Sequence, residues 1–365
     1  MKVIVEVPDS QQEKIRRLIR KGKFTSFFDF VNVAIENQLI LEETGQVLTS
    51  EGFNNALIGR RNVSSSRDEE TKSRELAVMQ KAIIGSRFPE LSLYPGGYSD
   101  IQLTPMPKDK MVNSNTPLWG QYNRLLPVKV ALRLLANTLK KGEMQYVDLE
   151  QFREHVAEVA RDLGLFLREQ DRRTRKSRGE RTFIGFPVRK DEYKSKERFK
   201  DHFVGYVDTK GHPIGALSEL KMVSIVAVKR ETLLGITEPG LTFAAIRNPV
   251  LDGKKAERPF SEEEAAYYLQ HVWRNLPGER EAVSFLLQTI KNGVRRPDYL
   301  TAHMQEFAKR IGKSWNRAVA NTMRAGLMSR LYELGILERE KVGIRGIAYN
   351  LSSLGSKLLE GVQRE

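Results

Sequence analysis

The 365-residue chain contains no cysteine. That absence removes disulfides, thiol nucleophiles, iron–sulfur ligation and cysteine-based zinc sites together, and it fits a reducing compartment. Histidine is sparse. His155, His202, His212, His271 and His303 are scattered, with no pair four residues apart and no HExxH, so a zinc hydrolase is not expected. GxxxxGK[ST], GxGxxG and GxSxG are missing too, which sets aside the familiar ATPase, dinucleotide-binding and serine-hydrolase chemistries. No run approaches the roughly 18 to 20 consecutive apolar residues of a membrane span. Lys2 and Glu6 stand near the start, so neither a span nor a secretory leader is expected. Acid is in deficit: 46 Asp and Glu face 60 Lys and Arg, a formal charge of +14 that favours polyanionic partners through counterion release.

What is present is a globular composition, 40% hydrophobic and 29% charged, long enough for two or three domains with their own cores. The strongest catalytic fragment is Asp191, Glu192, Tyr193 and Lys194, after an expected strand over 182–188; it has the carboxylate-x-Lys pattern of a metal-dependent nuclease. Such a site needs a further acidic ligand on a neighbouring strand, and none can be named. The chain is therefore read as a non-enzyme with no catalytic residue, no metal and no cofactor.

Residues 2–7, KVIVEV, are nearly all β-branched and stop at Pro8, which reads as one short strand. A helix over 11–21 follows, with Ile15, Leu18 and Ile19 on one face and Gly22 ending it. A second helix, capped by Thr25 or Ser26, carries Phe27, Val31, Ala34, Ile35 and Leu39 as a stripe. One strand and two short helices cannot bury their own apolar surface, so pairing with a second copy is the natural solution. VIVEVPDS, the GKFT turn and the aliphatic stripe resemble the ribbon–helix–helix family over residues 1–42. That resemblance implies a homodimer through Val3, Val5, Val7, Val31 and Ile35. It also implies a ribbon presenting Lys2, Ile4 and Glu6 to the major groove, and a phosphate clamp at Thr25 and Ser26. Glu6 suits a cytosine amine but repels phosphate, so two readings stay open: dimerisation with weak DNA contact, or base-specific operator binding. The nickel-responsive branch of that family is not expected, because the first histidine is His155.

Residues 43–117 lose clear periodicity, with Asn62, Ser64, Ser65 and Ser66, then YPGG at 94–97 and Pro105, Pro107 and Pro117; one helix is expected over 73–84. The stretch reads as a partly ordered tether. Beyond it, core helices are expected over 126–139 and 149–167. The densest basic run follows at 168–181: Arg168, Arg172, Arg173, Arg175, Lys176, Arg178 and Arg181 against Glu169, Asp171 and Glu180. Its bias to arginine suits phosphate, although a solvated helix end explains it as well.

Two stretches then share a plan of helix, hairpin and capped helix. In the first, a helical pattern over 213–225 leads to a hairpin with its tip at Lys229, Arg230 and Glu231, and Thr237 opens another helix. In the second, helices over 279–291, 298–310 and 313–334 precede a hairpin over 337–351 and a Ser-capped helix. LYELGILERE followed by IAYNLSSLGSKLLE resembles the winged helix–turn–helix family, and the middle stretch resembles it more weakly. For the C-terminal copy this implies DNA contacts by Lys313, Ser314, Asn316, Arg317, Asn321 and Arg324, with Arg339, Lys341 and Arg345 in the wing. For the middle copy it implies Lys210, His212, Ser218, Lys221, Lys229 and Arg230. Trp315 reads as a core anchor.

The expected protein is thus mainly α with small β elements (α+β). Its expected parts are a dimer module at 1–42, a linker at 43–117, a helical, winged-helix-like domain with a basic insertion at 118–252, and a winged-helix domain at 260–365. It would be a dimeric, nucleoid-associated cytoplasmic protein of double-stranded DNA, most simply a transcriptional regulator. A partition, replication-origin or nucleoid-organising factor, an RNA-binding protein, or an adaptor subunit with a protein partner remain as alternatives.

Overall fold

The computed structural model describes Gln12, Glu13, Ile15, Arg16, Ile19, Phe27, Ile84, Gly85 and residues 87–108, 115–177, 179–228, 231–253, 258–343 and 346–362. The chain divides into two units, Met1–Glu70 and Thr71–Glu365. In the first unit, Gln12, Glu13, Ile15, Arg16 and Ile19 are helical within the stretch expected to be the first helix, and Phe27 is helical within the second. Lys2, Val3, Ile4, Val5, Glu6, Val7, Thr25, Ser26, Val31 and Ile35 lie outside the described residues.

The second unit is mainly helical with small antiparallel sheets. It is built on α1 (Leu126–Gly142), buried on almost every side by Leu126, Val128, Val130, Ala131, Leu132, Leu134, Leu135, Ala136 and Leu139. A helix apolar all round is a core helix. Pro127 sits in its first turn, where no N–H is missed, and Glu143 ends it in the left-handed region at φ 50°. Lys129 and Arg133 are also buried here, so each needs partners. Lys129 pairs with Glu264 at 2.8 Å. It also donates to the carbonyls of Phe243 and Ile246. Arg133 pairs with Asp252 at 3.0 Å and donates to the carbonyls of Ala244, Ile246 and Leu91.

After α1, β1 (Val147–Asp148) leads into α2 (Leu149–Arg173), capped by Asp148, whose carboxylate accepts from the Gln151 N–H at 2.8 Å. The expected helix over 149–167 is real and two turns longer. Next come α3 (Glu192–Phe199), a π-helical turn (Lys200–Val204), the bridge β2 (Tyr206–Val207) with β3 (Pro213–Ile214), and α4 (Ala216–Glu219). Strands β4 (Val223–Val228) and β5 (Glu231–Ile236) form the expected hairpin, and β1 joins it in the order β1-β5-β4. Thr237 caps α5 (Glu238–Ala245) as expected, accepting from the Gly240 N–H at 3.3 Å.

Two expectations fail here. The helical pattern over 213–225 resolves into β3, the four-residue α4 and the start of β4. Gly215, at φ 125°, lies so close to Gly205 that a Cβ would come within 2.4 Å of its Cα. Lys221 sits in the left-handed region at φ 54°, so helix is blocked on both sides. The strand over 182–188 is a series of turns, because buried Asp171 accepts from the Thr182 and Phe183 N–H groups at 2.7 and 3.1 Å and folds the segment back.

The C-terminal block comprises α6 (Glu262–Asn275), α7 (Pro277–Lys291), α8 (Pro297–Arg310), α9 (Arg317–Glu333), the hairpin β6 (Leu337–Val342) with β7 (Gly346–Leu351), and α10 (Ser353–Val362). α6 opens on a capping box of Ser261 and Glu264. β7 also touches the α7–α8 connection, where the Tyr349 N–H donates to the Arg295 carbonyl at 3.0 Å.

The middle and C-terminal stretches share one hydrophobic core. Residues 118–125 cross from one to the other as a strap over α9. The Leu118 N–H donates to Glu279 at 2.9 Å, Arg330 to the Tyr122 carbonyl at 2.7 Å, and the Leu125 N–H to Glu333 at 2.6 Å. Arg330 and Glu279 form a buried pair at 2.6 Å. Much of the expected tether is folded too: Phe88, Leu91, Tyr98 and Ile101 are buried. Asn137 donates to the carbonyls of Glu90 and Ser92 at 2.6 and 2.8 Å. These apolar residues sit on a 3-10 turn and extended chain, whose irregular spacing leaves no period to read.

Candidate nucleic-acid interface

The sequence-expected cations gather in two places. The first is the corner between α8 and α9. Gly312, at φ 70°, turns the chain after α8, and residues 313–316 run to Asn316, which caps α9 by accepting from the Val319 N–H at 2.9 Å. Trp315 anchors the corner against Phe307, ring centroids 6.3 Å apart, and its carbonyl accepts from Gln305 at 3.3 Å. Lys309, Arg310, Lys313, Ser314 and Arg317 are exposed around this braced turn. Residues 307–332 contain six Lys or Arg and no Asp or Glu. The first turn of α9 carries no acid. A helix N-terminus prefers anions, so placing Arg317 there sacrifices favourable dipole interaction and leaves the end ready for an external anion. Lys309, Lys313 and Arg317 form no ion pair among the described residues. Arg310 lies over the Phe285 ring at 5.0 Å.

Further along α9 the expected readers are committed elsewhere. Arg324 is buried and is withdrawn from the set of DNA contacts: its Nε donates to the Thr301 hydroxyl at 3.0 Å and its Nη2 to Asn321 Oδ1 at 2.8 Å, tying α9 to α8. Asn321 is exposed with its carbonyl oxygen already engaged. A bidentate adenine contact by Asn316 would compete with its own cap. The middle of the helix is covered by the strap: a Cβ on Gly120 would lie 2.3 Å from the Thr322 carbonyl oxygen.

The second gathering joins the basic loop after α2 to the β6–β7 hairpin, which no spacing in the sequence announces. In the hairpin register Arg339 faces Tyr349. The Arg339 guanidinium lies 4.1 Å from the Tyr332 ring centroid and 5.6 Å from that of Tyr349. The loop backbone presses on it, since a Cβ on Gly179 would meet Arg339 Nη1 at 1.8 Å. Lys341 is exposed on the same strand.

Within the loop the cations differ in freedom. Arg172 and Arg173 both bond Glu169, at 3.0 and 2.9 Å, and these bonds, Arg172's foremost, hold the Glu169 carboxyl below its ordinary range. Lys176 pairs with Asp171 at 3.3 Å. Arg175 is exposed in the left-handed region at φ 52°. Arg178, Lys229, Arg230 and Arg345 lie outside the described residues. Tyr332 is 15 residues along α9 from Arg317. At 1.5 Å per residue, the two gatherings stand about 22 Å apart along the helix axis.

The middle stretch contributes less than expected. Ser218 is fully buried and Lys221 nearly so; with α4 only one turn long, neither stands on an exposed recognition helix, and both are withdrawn. Lys210 and His212 lie on an exposed turn held by Asp208, whose carboxylate accepts from their N–H groups at 2.9 and 2.8 Å. The nuclease-like fragment has other work: Asp191 caps α3 and Glu192 pairs with Arg161 and Lys196 at 2.9 and 2.5 Å. Among the described residues no group of three His, Asp or Glu is placed to hold a metal. Nor is any described helix long and apolar enough to cross a membrane.

The class that this fold defines is a mainly helical α+β protein whose exposed cations collect at a helix corner and at a hairpin–loop junction. No protein-family model, no curated protein and no solved structure matches the chain. Sequence reading missed Lys309 and Arg310, although the acid-free run that holds them is visible without coordinates. It also missed Arg124 and Arg258, which carry no local signal and lie beside Arg339 only because distant segments meet.

Proposed function

We propose that this chain is a double-stranded DNA-binding protein, dimeric through residues 1–42, that docks the α8–α9 corner and the β6–β7 hairpin against a duplex. The observation that carries this reading is the corner itself: Lys309 at the end of α8, Lys313 in the turn and Arg317 at the start of α9 stand exposed with no acid from 307 to 332. The order α7, α8, α9, hairpin, α10 supports the winged-helix reading. In it the start of α9 approaches base edges while Lys341, and Arg339 from its stacked position, lie along the backbone. The cations of residues 172–181 add phosphate contacts beside the hairpin. Linking two such surfaces through a dimer multiplies weak affinities. Regulation of transcription is the role assigned.

Fluorescence anisotropy with a duplex across a salt series tests the reading. The observed affinity should fall steeply with salt, and each of Lys313→Ala and Arg317→Ala should flatten the log–log slope by about 0.9. An affinity indifferent to salt rejects the proposal. A compact footprint on one promoter supports a regulator, whereas long, sequence-tolerant coverage supports a nucleoid organiser. Sedimentation of the chain as a monomer at micromolar concentration would remove the dimer.

A further inference from the structure

Where the hairpin, the loop after α2 and the end of the strap meet, they enclose a cleft of about 410 Å³. Five basic side chains line it, Arg124, Lys176, Arg181, Arg258 and Arg339, against three acidic ones, Glu180, Glu333 and Glu338. The acids offset this charge only in part, Glu333 acting on Arg124 without a direct ion pair. Glu333 is buried with its oxygens taken by the Leu125 and Leu126 N–H groups, and burial pushes its carboxyl up towards the neutral form. Glu180 accepts from the Ser177 N–H at 3.0 Å. Lys176 already has Asp171.

The decisive residue is Arg124. It is only 7% exposed, yet its Nε is buried without a hydrogen-bond partner and among the described residues it makes no ion pair within 4.0 Å, the Glu333 carboxylate acting on it only from longer range. Lys129, Arg133 and Arg330, also deeply buried, differ in that each has a carboxylate and at least one main-chain carbonyl, although Arg330 Nε too lacks a partner. Arg339 Nε is likewise buried without a partner, its guanidinium held by the rings of Tyr332 and Tyr349 rather than by an acceptor. Burying a guanidinium with its donors unmatched is costly, and an acceptor-rich anion in the cleft relieves that cost.

We infer that this cleft is a binding site for a phosphate monoester, with Arg124 at its floor and Arg181, Arg258 and Arg339 around the anion. A terminal phosphoryl group presents three acceptor oxygens and close to two negative charges, which matches several convergent guanidinium forks. An internal phosphodiester is flanked by a sugar on both sides and rides on a convex duplex, so it does not reach a buried floor. Two sources supply the same chemistry: a small phosphorylated metabolite or nucleotide, and the 5′-phosphate of a nucleic-acid strand. The site does not require the DNA reading above, although Arg181 and Arg339 belong to both surfaces.

The test is calorimetric titration of the full chain with inorganic phosphate, without DNA, at low ionic strength. A saturable single-site isotherm is expected. Arg124→Met and, as a surface variant that leaves the core intact, Arg258→Gln should each weaken it at least tenfold, with the Arg258→Gln melting curve unchanged in the absence of phosphate. No saturable binding to the wild-type chain, or affinity unchanged in both variants, overturns the inference. Competition then separates the sources. A duplex with 5′-phosphate ends that displaces phosphate better than its 5′-hydroxyl twin identifies a strand end; equal behaviour of the two duplexes identifies a small phosphorylated ligand. Because the phosphate titration contains no DNA, its failure leaves the duplex affinity to be judged alone. Loss of duplex affinity in Lys313→Ala leaves the phosphate isotherm intact.

Discussion

His271 illustrates how one buried side chain sets a pH response. Its Nε2 bonds the Leu220 carbonyl at 2.7 Å and its Nδ1 faces the Asn275 amide at 3.1 Å, an arrangement that suits the neutral ring with the proton on Nε2. Burial pulls its pKa down from 6.5 to about 4. The unfolded chain therefore binds this proton more readily than the folded one. The stability that His271 contributes is complete above pH 6.5 and is lost as the pH falls through that window towards about 4. The loss amounts to about 3 kcal/mol at most. Urea unfolding between pH 7.5 and 5 should show wild-type stability falling more steeply than that of His271→Leu; parallel slopes would reject this account. None of this is legible in the sequence, where His271 is one scattered histidine among five. Asn316, by contrast, stands before a periodic stretch and was legible as a residue at the start of α9. Arg324 looked like its equal, yet the Thr301 hydroxyl on α8 claims it.

Among the elements, those with a long regular period or a β-branched run bounded by turns were legible: α1, α2, α7, α8, α9 and both hairpins stand near their expected positions. α6 was missed even though Ser261 and Glu264 have the spacing of a capping box before an apolar face, a signal present in the letters. The stretch 213–225 was misread because Leu217, Leu220, Val223 and Ile225 fit a helical period, while Gly205 against Gly215 forces a bridge there instead. The packing of the strap on α9 depends on two glycines that face each other: a Cβ on Gly326 would lie 2.3 Å from the Gly120 carbonyl oxygen. Gly326→Ala should therefore cost about 1–3 kcal/mol in chemical denaturation through overpacking. Gly85→Ala, with nothing within 4 Å of its Cβ, is the control and should leave the midpoint unchanged or raised. Equal midpoints for both variants would show that the strap gives way freely.

For the whole molecule, the boundary expected near 252–260 does not separate two independent folds. Glu279, Arg330 and Glu333 belong to the C-terminal block, but the groups that satisfy them, the Leu118 and Leu125 N–H and the Tyr122 carbonyl, come from the strap. A fragment of residues 260–365 keeps the buried Arg330–Glu279 pair but exposes the groove that the strap fills. It should be loosely packed, with dispersed amide resonances absent and strong binding of a hydrophobic dye, whereas residues 84–365, which keep Phe88, Leu91, Tyr98 and Ile101, should behave as a folded body. A well-dispersed spectrum from the shorter fragment would contradict this coupling. The same scale governs the proposed DNA contacts, since the corner and the hairpin act on one duplex only if the block between them is rigid.

The sequence by itself determined the composition-level facts and the local ones: a basic, cysteine-free chain, helices where apolar residues recur every three to four positions, hairpins where β-branched runs flank a turn, and an acid-free stretch over 307–332. Local chemistry suffices there because caps, turns and periods involve residues a few positions apart. Only the tertiary structure decided that residues 118–125 strap α9, that Arg324, Ser218 and Lys221 face inward, and that Arg124, Arg181, Arg258 and Arg339 surround one cleft. Those outcomes depend on contacts between residues dozens to hundreds of positions apart. Burial and the pairing of buried charge are settled by such contacts, and no local pattern encodes them.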